Sequence, residues 1–283
     1  MIRTDSPGTD GQIESRYLLA QSVAMAAGTL ALEMFRRRDQ LVVELKGVQD
    51  MVSAADRDVE NYVRERILRS FPDDGFLGEE GGERSASTLE HCEYVWVVDP
   101  IDGTACFVNG MYSWCVSIAV LYRGTPLVGV VFDPNANELF HARVGRGAYC
   151  GAKPMRVHAG RTLKDGVLGV GTSFRVGIDD FIPFLAAVLG DGGMFIRNGS
   201  GALMITYVAA GRLIGYYEPH MNSWDALAGL VLVNEAGGRC NAFMDNDGLH
   251  RGNPVLASNA EVWYRLAQHA GLLAPQDTAA EAV

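Results

Sequence analysis

The chain has 283 residues, with 24 Lys and Arg against 34 Asp and Glu and a formal net charge of −10. A composition that is 48% hydrophobic and 20% charged belongs to a folded chain with a sizeable core and excludes a disordered one. The acidic balance argues against nucleic acid or an anionic membrane as the main partner, because both would repel it. A phosphorylated small molecule stays open, provided cations mediate the contact.

In chain order, residues 1–12 read as a loose tail, and Met1 to Gly11 hold no apolar core of a signal peptide. A long helix is predicted over 14–38, carrying Leu18, Leu19, Val23, Met25, Ala26, Leu30 and Met34. It closes on Arg36-Arg37-Arg38, where basic residues suit the negative end of the helix dipole. No apolar run reaches the ~20 residues that a membrane span needs. A second helix is predicted from Ser53 to about Phe71, since Val59, Val63, Ile67 and Leu68 share one face, and Pro72 and Gly75 end it.

From Tyr94 to Cys150 the pattern becomes β-rich, with runs at Tyr94–Val98, Trp114–Tyr122, Leu127–Phe132 and Glu138–Val144. Turns of Arg-Gly, Asp-Pro-Asn and Gly145-Arg-Gly147 type separate them, so neighbouring strands are expected antiparallel. After residue 165 strands and helices alternate: a strand at Val167–Val170, a helix at 179–189, a strand at Met194–Arg197 and a helix at 200–210. A strand at Leu213–Glu218, a helix opening near Trp224, a strand at Val255–Ala257 and a helix at 260–271 follow. The expected architecture is two sheets with helices between and around them. An α+β half over 13–150 joins an α/β half over 151–273, and 274–283 form a second tail. At ~150 residues per domain, the length fits two domains or one large α/β unit.

Cys92, Cys106, Cys115, Cys150 and Cys240 contain no C-x-x-C pair. Free thiols in a reducing, cytoplasmic compartment are therefore expected, rather than a zinc cluster or a disulfide framework.

Four segments place acids where a purely structural role explains them poorly: Asp56-Arg-Asp58 opening the second helix, Gly78-Glu79-Glu80, Asp99-Pro-Ile-Asp102-Gly-Thr104, and Ser223-Trp-Asp225. Alone, Asp56 and Asp225 are ordinary first-turn acids, Glu79-Glu80 a solvated loop and Asp102-Gly103 a plain turn. Asp99 is different. It ends the apolar run Tyr94-Val-Trp-Val-Val98, Pro100 stops the ladder, and a second acid follows at once. Taken together, the acids suit Mg²⁺, a hard cation that takes carboxylate and phosphate oxygens. Clustered carboxylates repel one another unless cations neutralise them, and two or more ions can activate water toward phosphorus. Gly103-Thr104 opens a turn whose free amides suit phosphate, and the Thr104 hydroxyl can relay a proton to Asp56.

In this order the segments resemble the inositol monophosphatase family of Mg²⁺-dependent, often lithium-sensitive phosphatases, over roughly residues 14–270. The strongest likeness is Trp96-Val-Val-Asp-Pro-Ile-Asp-Gly-Thr104, close to the family's W-x-V-D-P-I-D-G-T. Next come Asn222-Ser-Trp-Asp-Ala-Leu-Ala-Gly with Glu235-Ala-Gly-Gly238, Lys46-Gly with Asp50 and Ser53-Ala-Ala-Asp56, and Gly78-Glu79-Glu80. The resemblance implies a layered α-β-α-β-α fold, a homodimer and hydrolysis of a phosphate monoester. It implies a first Mg²⁺ on Glu79, Asp99 and the Ile101 carbonyl, a second on Asp99, Asp102 and Asp225, and a third ion near Glu79. It gives Glu79, Thr104 and Asp56 to water activation, Gly103 and Thr104 to phosphate, and Gly201 and Glu218 to the alcohol half of the substrate.

The sequence departs from that pattern at Cys106, where Asn is usual, and at Gly201, where Ala is common and extra room beside the substrate is expected. Cys106 reads as a small packed residue, His141 and His220 as fillers, Arg175 and Arg197 as minor candidates for anion contact, and Met204, Ile205 and Val208 as helix core. Inositol-1-phosphate or a related polyol or sugar monophosphate is the expected substrate. Histidinol phosphate, fructose-1,6-bisphosphate and adenosine 3′,5′-bisphosphate are alternatives, although the Lys-Glu-Phe cue for the last is replaced by Ala105-Cys106-Phe107. The reading from another class is a catalytically idle homologue that binds a phosphorylated ligand or a protein.

Overall fold

The computed structural model describes residues 7–40, 43–47, 50–81, 89, 91–172 and 175–273. The expected C-terminal tail, 274–283, lies outside them. Helix α1 (Pro7–Arg36) starts inside the expected N-terminal tail, so residues 7–12 are helical. Its outermost residues are not its core. Leu18 and Met25 face solvent, while Ala20, Ala24, Ala27 and Ala31 form a fully buried stripe of small side chains. Contrary to the sequence reading, Asp10–Arg36 is long and apolar enough to cross a membrane by length and composition. In this structure 39% of that apolar window is buried, and the alanine stripe belongs to the core cluster that α1 shares with the first sheet.

A hairpin of β1 (Val43–Gly47) and β2 (Asp50–Ser53) leads into α2 (Ala54–Ser70). The next strands are β3 (Gly75–Gly78) and β4 (Tyr94–Asp102), followed by the short helix α3 (Thr104–Val108). Then come β5 (Cys115–Tyr122), β6 (Thr125–Asp133), β7 (Glu138–Arg143), β8 (Ala148–Cys150) and β9 (Lys153–Pro154). β3 to β9 form one seven-stranded sheet in chain order, antiparallel except for the parallel β3–β4 pair. It ends at Pro154, a few residues past the expected boundary between halves.

The second half contains β10 (Val167–Val170), α4 (Ile178–Gly190), β11 (Met194–Ile196) and α5 (Gly201–Ala209). It continues with β12 (Gly215–Met221), α6 (Ser223–Glu235), β13 (Arg239–Cys240), α7 (Gly248–Arg251), β14 (Asn253–Ser258) and α8 (Ala260–His269). Its strands make a mixed five-stranded sheet in the order β11-β10-β12-β14-β13.

The pleat sorts the core into layers, because alternate strand residues point to opposite faces. Trp96, Val98, Ile118, Val128 and Val130 join the α1–α2 cluster. Val95, Val97, Ala119, Val131 and Phe140 join α5, α6 and the inner face of the second sheet at Tyr216, Val255 and Ala257. Leu168, Val170, Tyr217 and Leu256 face α4 and α8. The result is the α-β-α-β-α sandwich. Helix α6 lies directly on the first sheet: a Cβ at Gly129 of β6 would fall 2.3 Å from the Ala228 carbonyl oxygen.

Candidate active site

The site forms where β4 runs out beneath the N-terminal ends of α5 and α6. In a regular strand, residues 99 and 102 would point to opposite faces. The β4–β5 register prevents this: Asp99 pairs with Ser117 and Asp102 with Cys115, so one extra residue bulges out around Pro100-Ile101. Proline lacks the N–H that the ladder would need, and the bulge brings both acids to one spot. Asp225, in the first turn of α6, completes the group. Single carboxylate oxygens of Asp99, Asp102 and Asp225 lie within 4.8 Å of one another.

Each acid is held. Asp99 Oδ1 accepts the Ile101 N–H at 2.9 Å. Asp102 Oδ2 accepts the Ser200 hydroxyl and the Ala202 N–H, the latter at 2.8 Å. Ser200 also caps α5 by accepting the Leu203 N–H at 3.2 Å. Asp225 reaches back to the Asn222 N–H at 3.4 Å in a capping box. Asp99 is 1% and Asp102 8% exposed, so the charged forms are costly.

Burial raises the Asp99 carboxyl well above its ordinary range, and the charges of Glu79, Asp225 and Asp102 raise it further. Burial pushes Asp102 up to about 7, assisted by Asp225 and opposed by its bonds to Ser200, Ala202 and Gly201. Asp225 is also raised by burial, while its hydrogen bond with Asp99 works in the other direction. Buried carboxyls that raise one another in this way are the kind of group a bound cation would neutralise. The donors are hard oxygens without Cys or His, which suits Mg²⁺ and not zinc. The residues fit the expected ion. Glu79 stands beside this group, close enough to raise Asp99, and its N–H donates to the Val98 carbonyl at 3.3 Å.

The Thr104 hydroxyl lies 3.0 Å from Asp56 Oδ1 and 3.1 Å from the Ile101 carbonyl. Asp56 is fully buried on α2. With one proton and two acceptors, the hydroxyl is tied on both sides and keeps a lone pair for an incoming donor. Gly103, with φ of 98°, caps α3 in the left-handed conformation that glycine permits, and no side chain caps that end by a hydrogen bond.

A cavity of about 150 Å³ adjoins the acids, lined among others by Asp102, Asp225, Arg175, Arg197, Glu218 and His220. Thr172 also lines it; residues 173 and 174 lie outside the described set. Arg175, Arg197 and His220, given little weight from sequence, thus stand at the site, while His141 is structural, bonded to the Tyr17 hydroxyl and the Gly151 carbonyl. Glu218 accepts the Tyr216 hydroxyl, and burial pushes its carboxyl up to about 7. Gly201 lines the cavity without widening it, because a Cβ there would fall 2.5 Å from Met221 Cε. Cys106 is packed as expected, its thiol 3.4 Å from the Asn198 carbonyl and raised in pKa by burial. Gly145 and Gly147 donate their N–H groups to Glu235, a plain turn with a structural anchor. No local pattern points to Ser200, which acts across 98 positions of chain.

A family model described as the inositol monophosphatase family matches residues 13–278. Inositol-1-monophosphatase of Rhizobium meliloti is 39% identical over 223 residues, covering 78% of this chain and 82% of that protein. Nus factor SuhB of Pseudomonas aeruginosa is 33% identical over 252 residues, covering 88% of this chain and 93% of that protein. The crystal structure of extragenic suppressor protein suhB from Bartonella henselae aligns with TM-score 0.84 at 32% identity, over 90% of this chain and 98% of that one. SuhB-type and phosphatase-type relatives therefore share this architecture.

Proposed function

The chain belongs to the inositol monophosphatase family, and on that premise we propose that it is a Mg²⁺-dependent phosphomonoesterase acting on inositol-1-phosphate or a similar polyol or sugar monophosphate. The observation that carries this reading is the meeting of Asp99, Asp102 and Asp225, from two distant segments, beside a cavity with both acidic and guanidinium walls. Asp99, Asp102, Asp225 and the Ile101 carbonyl, with Glu79 adjoining, would hold two or three ions. Bound there, divalent cations supply the positive charge that admits a phosphate dianion, acidify water and steady the leaving oxygen.

The chain's own groups do the rest. Thr104 accepts a proton from the attacking water as its own proton passes to Asp56, whose carboxylate is already aligned at 3.0 Å. Amides of Gly103 and Thr104 hold phosphate oxygens at a helix start that no side chain caps by a hydrogen bond. Glu218 and Gly201 face the alcohol, with Arg197 and Arg175 at the same cavity to offset its acidity. The enzyme acts in the cytoplasm as a homodimer. Its candidate interface is the outer face of α4 and β11, where Ile178 is 71% and Met194 65% exposed beside Ile182, Leu189 and Ile196.

A second reading has support in the relatives named Nus factor: a protein that acts through a partner rather than by turnover. Phosphate release over a panel of monophosphates, with and without Mg²⁺ and Li⁺, decides. Mg²⁺-dependent release from polyol phosphates, suppressed by Li⁺, is expected. No release from any monophosphate refutes the phosphatase and leaves the partner-binding reading.

A further inference from the structure

Among the metal ligands proposed above, Glu79 alone lies outside a strand or helix. β3 ends at Gly78, whereas Asp99, Ile101, Asp102 and Asp225 sit on β4 and α6. A carboxylate carried by a loop meets a cation well only if the backbone beside it is fixed. On one side the sheet fixes it, since the Glu79 N–H donates to the carbonyl of Val98, the residue before Asp99. On the other side α2 does. The next amide, that of Glu80, donates to Glu60 Oε2 at 2.7 Å. Arg64, one turn further along α2, donates to Glu60 Oε1 at 2.7 Å and to the Gly81 carbonyl at 3.1 Å. Its guanidinium is in turn seated over the Phe76 ring of β3, 4.9 Å from the centroid.

Glu60 is 1% exposed, and a carboxylate so buried is costly unless it is paired and hydrogen-bonded. Here one oxygen meets a guanidinium and the other the backbone of the loop. The glycines that bracket the two loop acids make room for it: a Cβ at Gly78 would fall 2.2 Å from Glu60 Oε2, and one at Gly81 2.0 Å from Glu60 Oε1. The run Gly78-Glu79-Glu80-Gly81 is thus shaped around a side chain from another element. Glu60 also follows Asp56 by one helical turn, so one face of α2 holds both the Thr104 hydroxyl and the Glu79 loop.

We infer that Glu60, braced by Arg64, is a positioning residue that presents Glu79 to the acids of β4 and so sets how tightly the site holds its divalent cation. The inference rests on the metal-site reading above. In this role Glu60 touches neither cation nor substrate and acts through Glu79.

The test titrates Mg²⁺ into the full chain by calorimetry, beside thermal melts in EDTA and a phosphate-release assay. Glu60→Ala should weaken Mg²⁺ binding about 10–100-fold, the range for removing a partner behind a metal ligand, while kcat at saturating Mg²⁺ stays within about threefold. Glu60→Gln, which keeps an acceptor for the Glu80 N–H, should bind Mg²⁺ more tightly than Glu60→Ala. In a Glu79→Gln background, Glu60→Ala should weaken binding by less than about threefold more, because its effect runs through Glu79. A merely structural Glu60 would lower the melting temperature in EDTA and leave Mg²⁺ affinity where it was. If Glu60→Ala fails to fold, Arg64→Met carries the comparison, since it keeps an apolar stem over Phe76 while releasing the loop. A folded Glu60→Ala or Arg64→Met variant with wild-type Mg²⁺ affinity, or a full further loss in the Glu79→Gln background, overturns the inference alone. A wild-type chain that binds no Mg²⁺ overturns the metal-site reading and this inference with it.

Discussion

Asp99→Asn should abolish turnover and, in metal-free buffer, make the protein more stable. Asn keeps the Oδ1 that accepts the Ile101 N–H, so the β4 bulge survives. It removes a buried charge whose neighbours Asp102 and Asp225 lie within 4.8 Å. At an effective dielectric of ~20, one like-charge pair at that distance costs about 3 kcal/mol. Burial, which raises the carboxyls of Asp99 and Asp225 and so favours their neutral forms, already relieves part of this. A gain of about 1–3 kcal/mol remains, or about 2–6 °C in melting temperature for a chain of this size. The same change should reduce kcat by about 10³-fold or more and shrink the stabilisation that Mg²⁺ confers. Thermal melts in EDTA and in millimolar Mg²⁺, beside a phosphate-release assay, read all three. A variant that melts below wild type in EDTA, or keeps its turnover, would refute the idea that these acids form a charge-strained cation site.

Thr104→Ala should lower kcat about 10²-fold with little change in KM, and Thr104→Ser should recover to within about tenfold, because only the hydroxyl enters the relay. Equal activity in both variants would remove Thr104 from that role. Ser200→Ala should cost about 2–3 kcal/mol, a cap plus a hydrogen bond to a charged group, seen as a melting point lowered by about 4–6 °C and a weaker response to Mg²⁺. Gly129→Ala should destabilise by about 2 kcal/mol or more, because its Cβ meets backbone of α6 at 2.3 Å and backbone cannot rotate away. Turnover in that variant should fall as well, since α6 carries Asp225; an unchanged melt would mean that the helix does not lie so close.

Much of this fold is legible from local pattern. The antiparallel run from β4 to β7 follows from alternating apolar residues between turn dipeptides, and α2 from four apolar residues on one face. The hairpin of β1 and β2 is not, because two short strands with a register shift carry too little periodicity. β3 likewise hides in Gly75-Phe-Leu-Gly78, whose glycines look like a loop until β4 pairs with it. In α1 the large apolar residues suggest the core, and Val23 is indeed buried there, but Leu18 and Met25 face solvent while Ala20, Ala24, Ala27 and Ala31 take buried places. At the site, the acids were visible as motif members, whereas the partners that hold them were not. Ser200 beneath Asp102 and Met221 over Gly201 are contacts between elements remote in sequence, and no local spacing encodes them.

Strand β4 loses its regular register at the site, and the slip delivers a side chain that even pairing would have sent elsewhere. Removing one residue from Pro100-Ile101 would heal the ladder and turn Asp102 away from its companions. A tidier sheet would then be an inert one. Insertions and deletions should be poorly tolerated at this point although no catalytic side chain is altered, and selection for greater β regularity would run against activity here.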